Sequence, residues 1–266
     1  MHLSLLRAPA PLSSSLMGLA LSLATLAGCQ ERASKPSAEA GPAQSAAPSS
    51  APSEAKALTI EDRAKALLTE AWSHEPKVTA LLKELSAAHG GRMVGLEYRL
   101  KTEGSTIRKL KKISAEQPQL SVKELTIYDA LRYTIEVADQ PKGHHVKTIQ
   151  AVLKRLEGEG FKVKVVKNYW PKGDNYSGVN SVLATAQGFE WELQFHTPES
   201  VSESRRSHKE YEELRAQGTS LQRKQELFKV MSAPWESIPT PAQILEPKNL
   251  HAQEQIKSFS PPSAQP

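Results

Sequence analysis

The residue types able to do chemistry fall in four short stretches. In RLKTEGSTIRKLKK, residues 99–112, Arg99 and Lys101 are two apart, so on an extended strand both cations share a face. The turn TEG then leads into a helix that Ser105 is placed to cap. Free N–H groups at a helix start bind phosphate, and aligned cations beside them add charge. The stretch suits a polyphosphate cradle with no Walker motif; it equally suits a solvated basic helix after an edge strand.

In IYDALRYTI, Asp129 stands just before an apolar strand, where a carboxylate can hold Mg²⁺ together with water and phosphate oxygens, or simply end a turn. NYWPKGDNYSGVNS, residues 168–181, is a Gly- and Pro-punctuated loop. In it a tyrosine beside Asn and Lys172 can stack on a base, or pack down on a sheet. In FEWELQFHTPES, residues 189–200, Trp191, Leu193 and Phe195 alternate with Glu190, Glu192, Gln194 and His196. One face suits a core, and the other offers Glu192 as metal ligand or base with Gln194 as its neighbour. A half-exposed antiparallel strand yields the same alternation without chemistry.

The elements that must position these residues follow from periodicity. Thr59 and Asp62 imitate a capping box before a helix on Ile60, Ala64, Leu67, Leu68, Ala71 and Trp72. A second helix is predicted to restart at Pro76 and end at Gly90 or Gly91, followed by a strand through Val94, Leu96, Tyr98 and Leu100. Further on come a helix at 105–115, a strand at 131–137 and an amphipathic helix on Val146, Ile149, Val152, Leu153 and Leu156, with His144 and His145 left in a loop. Strands at 161–167, 179–185 and 191–197 precede a long helix capped by Thr197 and Pro198 that reaches about Ala216, then a short helix at 220–231. About five strands interleaved with helices predict an α/β (α+β) fold with a mixed sheet.

The chain has 266 residues, a formal charge of +5 and 39% hydrophobic residues, as expected of one domain with flexible flanks. The charge suits an anionic partner but also serves plain solubility. The single cysteine, Cys29, excludes an intrachain disulfide and a multi-cysteine metal site. Before it lie His2, Arg7 and an apolar run too short to span a membrane, the shape of a secretory signal. Leu26 to Cys29, LAGC, resembles the lipobox of bacterial lipoproteins. That resemblance implies removal of residues 1–28, lipidation of Cys29 and, with Gln30 following, the outer membrane of a Gram-negative bacterium. Residues 29–57, rich in Ala, Ser and Pro, read as a disordered tether, 58–233 as the folded domain and 234–266 as a flexible tail.

Taken in order, the four stretches resemble a known family. RxKxxxSxxxK (Arg99, Lys101, Ser105, Lys109), Asp129 at a strand opening, PKxxxY (Lys172, Tyr176) and ExQ before a Thr and a helix (Glu192, Gln194, Thr197) resemble the RelA/SpoT nucleotide pyrophosphokinase domain over about residues 94–215. The resemblance implies a synthetase-like nucleotidyltransferase fold and Mg²⁺-dependent transfer of pyrophosphate from ATP to a guanosine 3′-hydroxyl, the synthesis of ppGpp-like alarmones. It implies that Arg99, Lys101 and Lys109 hold ATP phosphates, that Ser105 lines the same loop, and that Asp129 and Glu192 hold Mg²⁺. Glu192 would also help deprotonate the attacking hydroxyl, and Tyr176 would stack on the acceptor base with Lys172 and Gln194 around it. His208 and Tyr211 resemble the His and Tyr of the family's long helix; helical spacing groups them with Val201 and Ser204 and so predicts a core histidine.

The acceptor half departs from the family's pattern. Asp174 and Asn175 replace Asn-Gly, Asn180 replaces a His, His196 replaces an Arg, and Thr134 stands where an Arg is usual, although Arg132 shares its strand face. These changes open the acceptor site to adenosine nucleotides or an RNA 3′ end. YSGVN and ELQFHTPES together resemble divergent RelA/SpoT-like domains of secreted and phage-associated toxins, for which an immunity protein is the partner to expect. No hydrolase domain is expected upstream, because the preceding helices are too short. An envelope lipoprotein meets little ATP, so the expectation is either delivery into another cytoplasm or a non-catalytic nucleotide- or anion-binding lipoprotein. The pattern sets no oligomeric state.

Overall fold

The computed structural model describes residues 57–171, 176–216, 218–246 and 250. The expected leader, Cys29, nearly all of the expected tether, Lys172, Asp174 and Asn175 lie outside the described residues. Among the described residues, no helix is long and apolar enough to cross a membrane.

The chain opens with α1 (Ile60–Ala88), capped as expected: Thr59 accepts from the Asp62 N–H, and Asp62 accepts from the Thr59 N–H. A restart at Pro76 does not occur; the helix runs straight through it. Proline inside a helix costs about 3 kcal/mol, but Pro76 sits on the exposed side while Leu67, Ala71, Glu75, Val78, Leu82 and Leu85 continue one buried stripe across it. Each buried leucine in that stripe stabilises by roughly 1.5–3 kcal/mol, so packing outweighs the proline. Trp72, expected on the apolar face, is 59% exposed. The helix ends as Gly90 turns to φ +67°, with the Gly90 and Gly91 N–H groups donating to the Ala87 and Ser86 carbonyls.

The expected strand on Val94 to Leu100 is cut short. β1 covers Arg92–Val94, Gly95 takes φ +66°, and Leu96–Tyr98 form a 3₁₀ turn. An isolated bridge between Leu100 and Leu131 then returns the chain to the sheet. α2 (Glu103–Glu116) starts one turn earlier than expected, because Thr102, not Ser105, is its N-cap and accepts from the Ser105 N–H.

β2 (Arg132–Glu136), α3 (His144–Gly158), β3 (Lys162–Asn168), β4 (Val179–Ala184) and β5 (Glu190–His196) follow, then α4 (Pro198–Arg206), α5 (His208–Arg215) and α6 (Leu221–Glu236). Among the described residues the sheet has five strands in the order β1-β2-β5-β4-β3, with β2 parallel to β5 and the other neighbours antiparallel. The α/β class and mixed sheet are therefore as the sequence predicts. β5 is a central strand. Its odd positions Trp191, Leu193 and Phe195 are fully buried, and Trp191 meets Tyr133 and Phe161 edge-on at 6.0 and 5.5 Å. α1 and α3 fill the same core with residues such as Leu82, Ile149 and Leu156.

Three expectations fail elsewhere. His144 and His145 open α3 instead of lying in a loop. The long helix after Thr197 breaks at Ser207 into α4 and α5, which leaves His208 exposed and Tyr211 39% exposed, so neither is a core residue. The presumed tail is packed in part: α6 runs to Glu236, and Trp235, Ile244 and Leu250 are buried. Asp139 binds that segment to the start of α3, accepting from the Gly143 and Ala242 N–H groups at 2.7 Å each and from the His145 N–H at 3.2 Å. Asn168 adds a hydrogen bond to the Ile244 carbonyl at 2.8 Å.

Candidate active site

Parallel pairing of β2 and β5 brings the two acidic candidates together. Asp129 lies in the 3₁₀ turn Tyr128–Ala130 just ahead of β2, and Glu192 lies on β5 directly beside Arg132, its N–H bonded to the Leu131 carbonyl at 3.0 Å. Their side chains sense each other, since the Asp129 charge acts to raise the Glu192 carboxyl.

Two lysines close on Asp129. Lys101 Nζ lies 3.0 Å from Oδ2 and Lys109 Nζ 2.8 Å from Oδ1. Lys101 is delivered by the bridge at Leu100, its own N–H donating to the Ala130 carbonyl, while Lys109 comes from the second turn of α2. Burial acts to raise the Asp129 carboxyl, but the two ammonium groups outweigh it and hold the group below the usual carboxylate range. Lys109 also lies over the Tyr128 ring at 5.0 Å, and Lys167 of β3 approaches the same ring at 6.0 Å.

Glu192 is in the opposite condition. It is 7% exposed, and burial pushes its carboxyl up despite the neighbouring Arg132 and a hydrogen bond from Gln194. Asn180, on the adjoining strand, donates its Nδ2 to Glu192 Oε1 at 3.1 Å. Gln194 in turn accepts from Thr134 across β2 at 3.2 Å. A carboxylate raised by burial beside one lowered by lysines separates the two roles: one holds its charge firmly and the other is the better proton acceptor.

Beyond Asn180 the site continues as an aromatic group. The Tyr176 hydroxyl contacts Asn180 Oδ1 and His196 Nε2, both at 2.8 Å, and His196 Nδ1 contacts Ser200 Oγ at 2.9 Å. The Tyr176 ring is half-buried, with Tyr169 at 5.2 Å, His196 at 5.1 Å and Trp235 of α6 at 5.8 Å around it. Burial raises its hydroxyl well above the ordinary range. Burial, with His145 and Arg132 adding to it, depresses His196 to about 3, so its imidazole is neutral. Gly178 makes room for this contact: a Cβ there would stand 2.8 Å from His196 Cε1.

The expected phosphate group is thus divided. Lys101, Lys109, Asp129, Glu192, Gln194, Asn180, Tyr176 and His196 share one connected face. Arg99 does not point with Lys101: its guanidinium is held by Glu75 of α1 and by the Leu96 carbonyl, because the 3₁₀ turn removes the strand geometry that would have aligned the two. Glu75 also accepts from Thr79, which is bonded to Tyr133. Ser105 sits at the third position of α2, bonded to Thr102 and Arg108.

Sequence reasoning passed over Lys167, Ser200, Glu75 and Trp235. Lys167 was legible in the FKVKVVK alternation, although the register shift between Val163 and Val165 obscures its face. Trp235, Ser200 and Glu75 join through tertiary packing that no local period announces.

The donor set suits Mg²⁺. Two hard carboxylates meeting at one strand end fit an ion that keeps water and phosphate oxygens as its other ligands. Among the described residues no group of three or more His, Cys, Asp or Glu side chains could hold a metal ion by itself.

No protein-family model and no curated protein matches the sequence. Solved structures with a similar arrangement include the Type VI effector Tas1, crystallised with its immunity protein. It is 23% identical, with 65% of this chain and 94% of that chain covered and a TM-score of 0.43. The small alarmone synthetase 1 of Bacillus subtilis is 17% identical, with 66% and 92% covered and a TM-score of 0.46. A GTP pyrophosphokinase family protein of Streptococcus pneumoniae is 14% identical, with 67% and 89% covered and a TM-score of 0.44.

Proposed function

We propose that this chain is a pyrophosphokinase of RelA/SpoT type that moves a pyrophosphoryl group from ATP to the hydroxyl of a nucleotide or an RNA 3′ end. The supporting observation is the pair of carboxylates where β2 begins beside β5, Asp129 clasped by Lys101 and Lys109 and Glu192 buried beside Arg132. Phosphoryl-type transfer needs positioned cations and a proton acceptor more than covalent help, and these residues supply both.

In this reading Lys101, Lys109 and Arg132 face the ATP phosphates, with Lys167 at the margin. Glu192, raised by burial, takes the proton of the attacking hydroxyl. A bond forms between that oxygen and the β-phosphorus, the bond from the β-phosphorus to the α–β bridging oxygen breaks, and AMP leaves. Asp129 and Glu192 would hold Mg²⁺, which when bound neutralises phosphate charge. Gln194 and Asn180 orient Glu192 from either side.

A second reading, nucleotide or anion binding without transfer, is favoured by the packing of Trp235 against Tyr176 and by the engagement of Arg99 with Glu75. Labelled ATP, Mg²⁺ and GDP, ADP, AMP or tRNA incubated with the purified mature chain separate the two. The transferase reading expects AMP and one labelled product, both lost in Glu192→Gln. ATP binding with no AMP release for any acceptor would leave the binding module.

The LAGC motif supports a lipid anchor at Cys29 in the outer membrane, and mass spectrometry of the mature N-terminus tests it. Delivery as a toxin with an immunity partner is supported by the divergent acceptor half. Growth arrest on cytoplasmic expression, relieved by Glu192→Gln, is the outcome expected.

A further inference from the structure

The contacts from Glu192 to Ser200 obey a single direction of hydrogen bonding, fixed by proton counting from one end. A carboxylate accepts and cannot donate, so Asn180 must turn its NH₂ to Glu192 Oε1 and its oxygen to Tyr176. That oxygen also only accepts, so the single Tyr176 proton points to Asn180. Tyr176 must then receive from His196 Nε2, which therefore carries the ring proton. The ring also hydrogen-bonds the Ser177 backbone, and its Nε2 would stand 3.0 Å from a Cβ placed on neighbouring Gly178. Nδ1 is left bare and accepts from the Ser200 hydroxyl at 2.9 Å, in preference to the Thr197 carbonyl that the same hydroxyl could reach at 3.1 Å.

We infer that Ser200, on the first turn of α4, is a positioning residue for Glu192. It acts through a one-way chain, Ser200 to His196 to Tyr176 to Asn180, that fixes which end of the Asn180 amide meets the carboxylate. With the other tautomer, Nδ1–H, Tyr176 would donate to His196, Asn180 Oδ1 would lose its donor, and the amide could flip its oxygen against Glu192. Ser200 is fully buried and itself pinned by the Thr197 N–H at 3.0 Å, so the chain is anchored in the helix start rather than in a mobile loop. Its effect on turnover rests on the transferase reading above; its existence does not.

The test has two readouts. In the full chain labelled with ¹⁵N-histidine, the His196 ring is expected to be neutral with the proton on Nε2 between pH 6 and 8, its resonances assigned by their loss in His196→Gln. In Ser200→Ala, Nδ1 is expected to move toward the value of an unbonded nitrogen, and Ser200→Thr to restore it. A wild-type Nδ1–H tautomer, or an Nδ1 resonance unmoved by Ser200→Ala, would overturn the chain whether or not turnover is detected. In the transfer assay Ser200→Ala is expected to lower kcat about tenfold, the loss of one charge-linked hydrogen bond, with KM for ATP changed far less and Ser200→Thr restoring kcat. A fall confined to KM, or a thermally destabilised Ser200→Ala with unchanged kcat, would reduce Ser200 to a helix cap.

Discussion

Acidification is expected to weaken the fold through His196. Burial depresses its imidazole from an ordinary 6.5 to about 3, with His145 and Arg132 adding repulsion, while Tyr176, Ser200 and the Ser177 backbone surround the ring. A group depressed in the folded state is protonated first in the unfolded chain. Its contribution is therefore complete above about pH 6.5 and is lost progressively as pH falls toward 3. From pH 7 to pH 5 the loss integrates to about 2 kcal/mol, close to 1.4 kcal/mol for each unit below the unfolded value.

Urea unfolding followed by tryptophan fluorescence at pH 7, 6 and 5 measures this, with His196→Gln as the reference that has nothing to titrate at that position. Carboxylates and the buried His145, also depressed, titrate in both proteins and cancel to first order. The variant is expected to be weaker at pH 7 yet to lose about 2 kcal/mol less on going to pH 5. Parallel losses in the two proteins, within about 0.5 kcal/mol, would refute the claim that His196 is held neutral by its surroundings.

Gly178→Ala places a methyl group 2.8 Å from His196 Cε1 and 3.1 Å from the Tyr176 hydroxyl; overpacking of this kind costs about 1–3 kcal/mol, to be read from the urea midpoint. Glu192→Gln, by contrast, removes a charge that burial disfavours, so stability at pH 7 is expected to hold or rise while AMP release disappears; a destabilised Gln variant would contradict the burial argument. Asp139→Ala strips the partner from three backbone N–H groups, those of Gly143, His145 and Ala242. It is expected to cost about 3 kcal/mol and to make residues 237–246 the first to exchange amide hydrogens.

Much of the site was legible because it lies on strands. The two-residue period of β5 marked Glu192, Gln194 and His196 as one face and Trp191, Leu193 and Phe195 as core, and the caps at Thr59 and Thr197 stand where the sequence put them. The misreadings share a cause in backbone geometry or in distant packing. Gly95 at φ +66° breaks an alternation that continues in the letters but not in space, which sends Arg99 to Glu75. Pro76 reads as a boundary because a local rule cannot weigh a buried stripe extending on both sides of it. The tyrosine face expected to meet a base is met by Trp235, some sixty residues later, from a segment whose Ser and Pro content concealed a helix.

The parallel match of β2 with β5 has a consequence for how this protein can change. Arg132 stands opposite Glu192 and Thr134 opposite Gln194, so the spacing of the two carboxylates is written in strand register and not in the length of any connecting segment. A one-residue slip would carry Glu192 into the core and Trp191 out of it, which the hydrophobic layer forbids. The segments between β2 and β5 are therefore free to lengthen, shorten or exchange residues while the distance between the two carboxylates is conserved. The surface around Tyr176 can thus be rewritten without moving the two carboxylates beneath it.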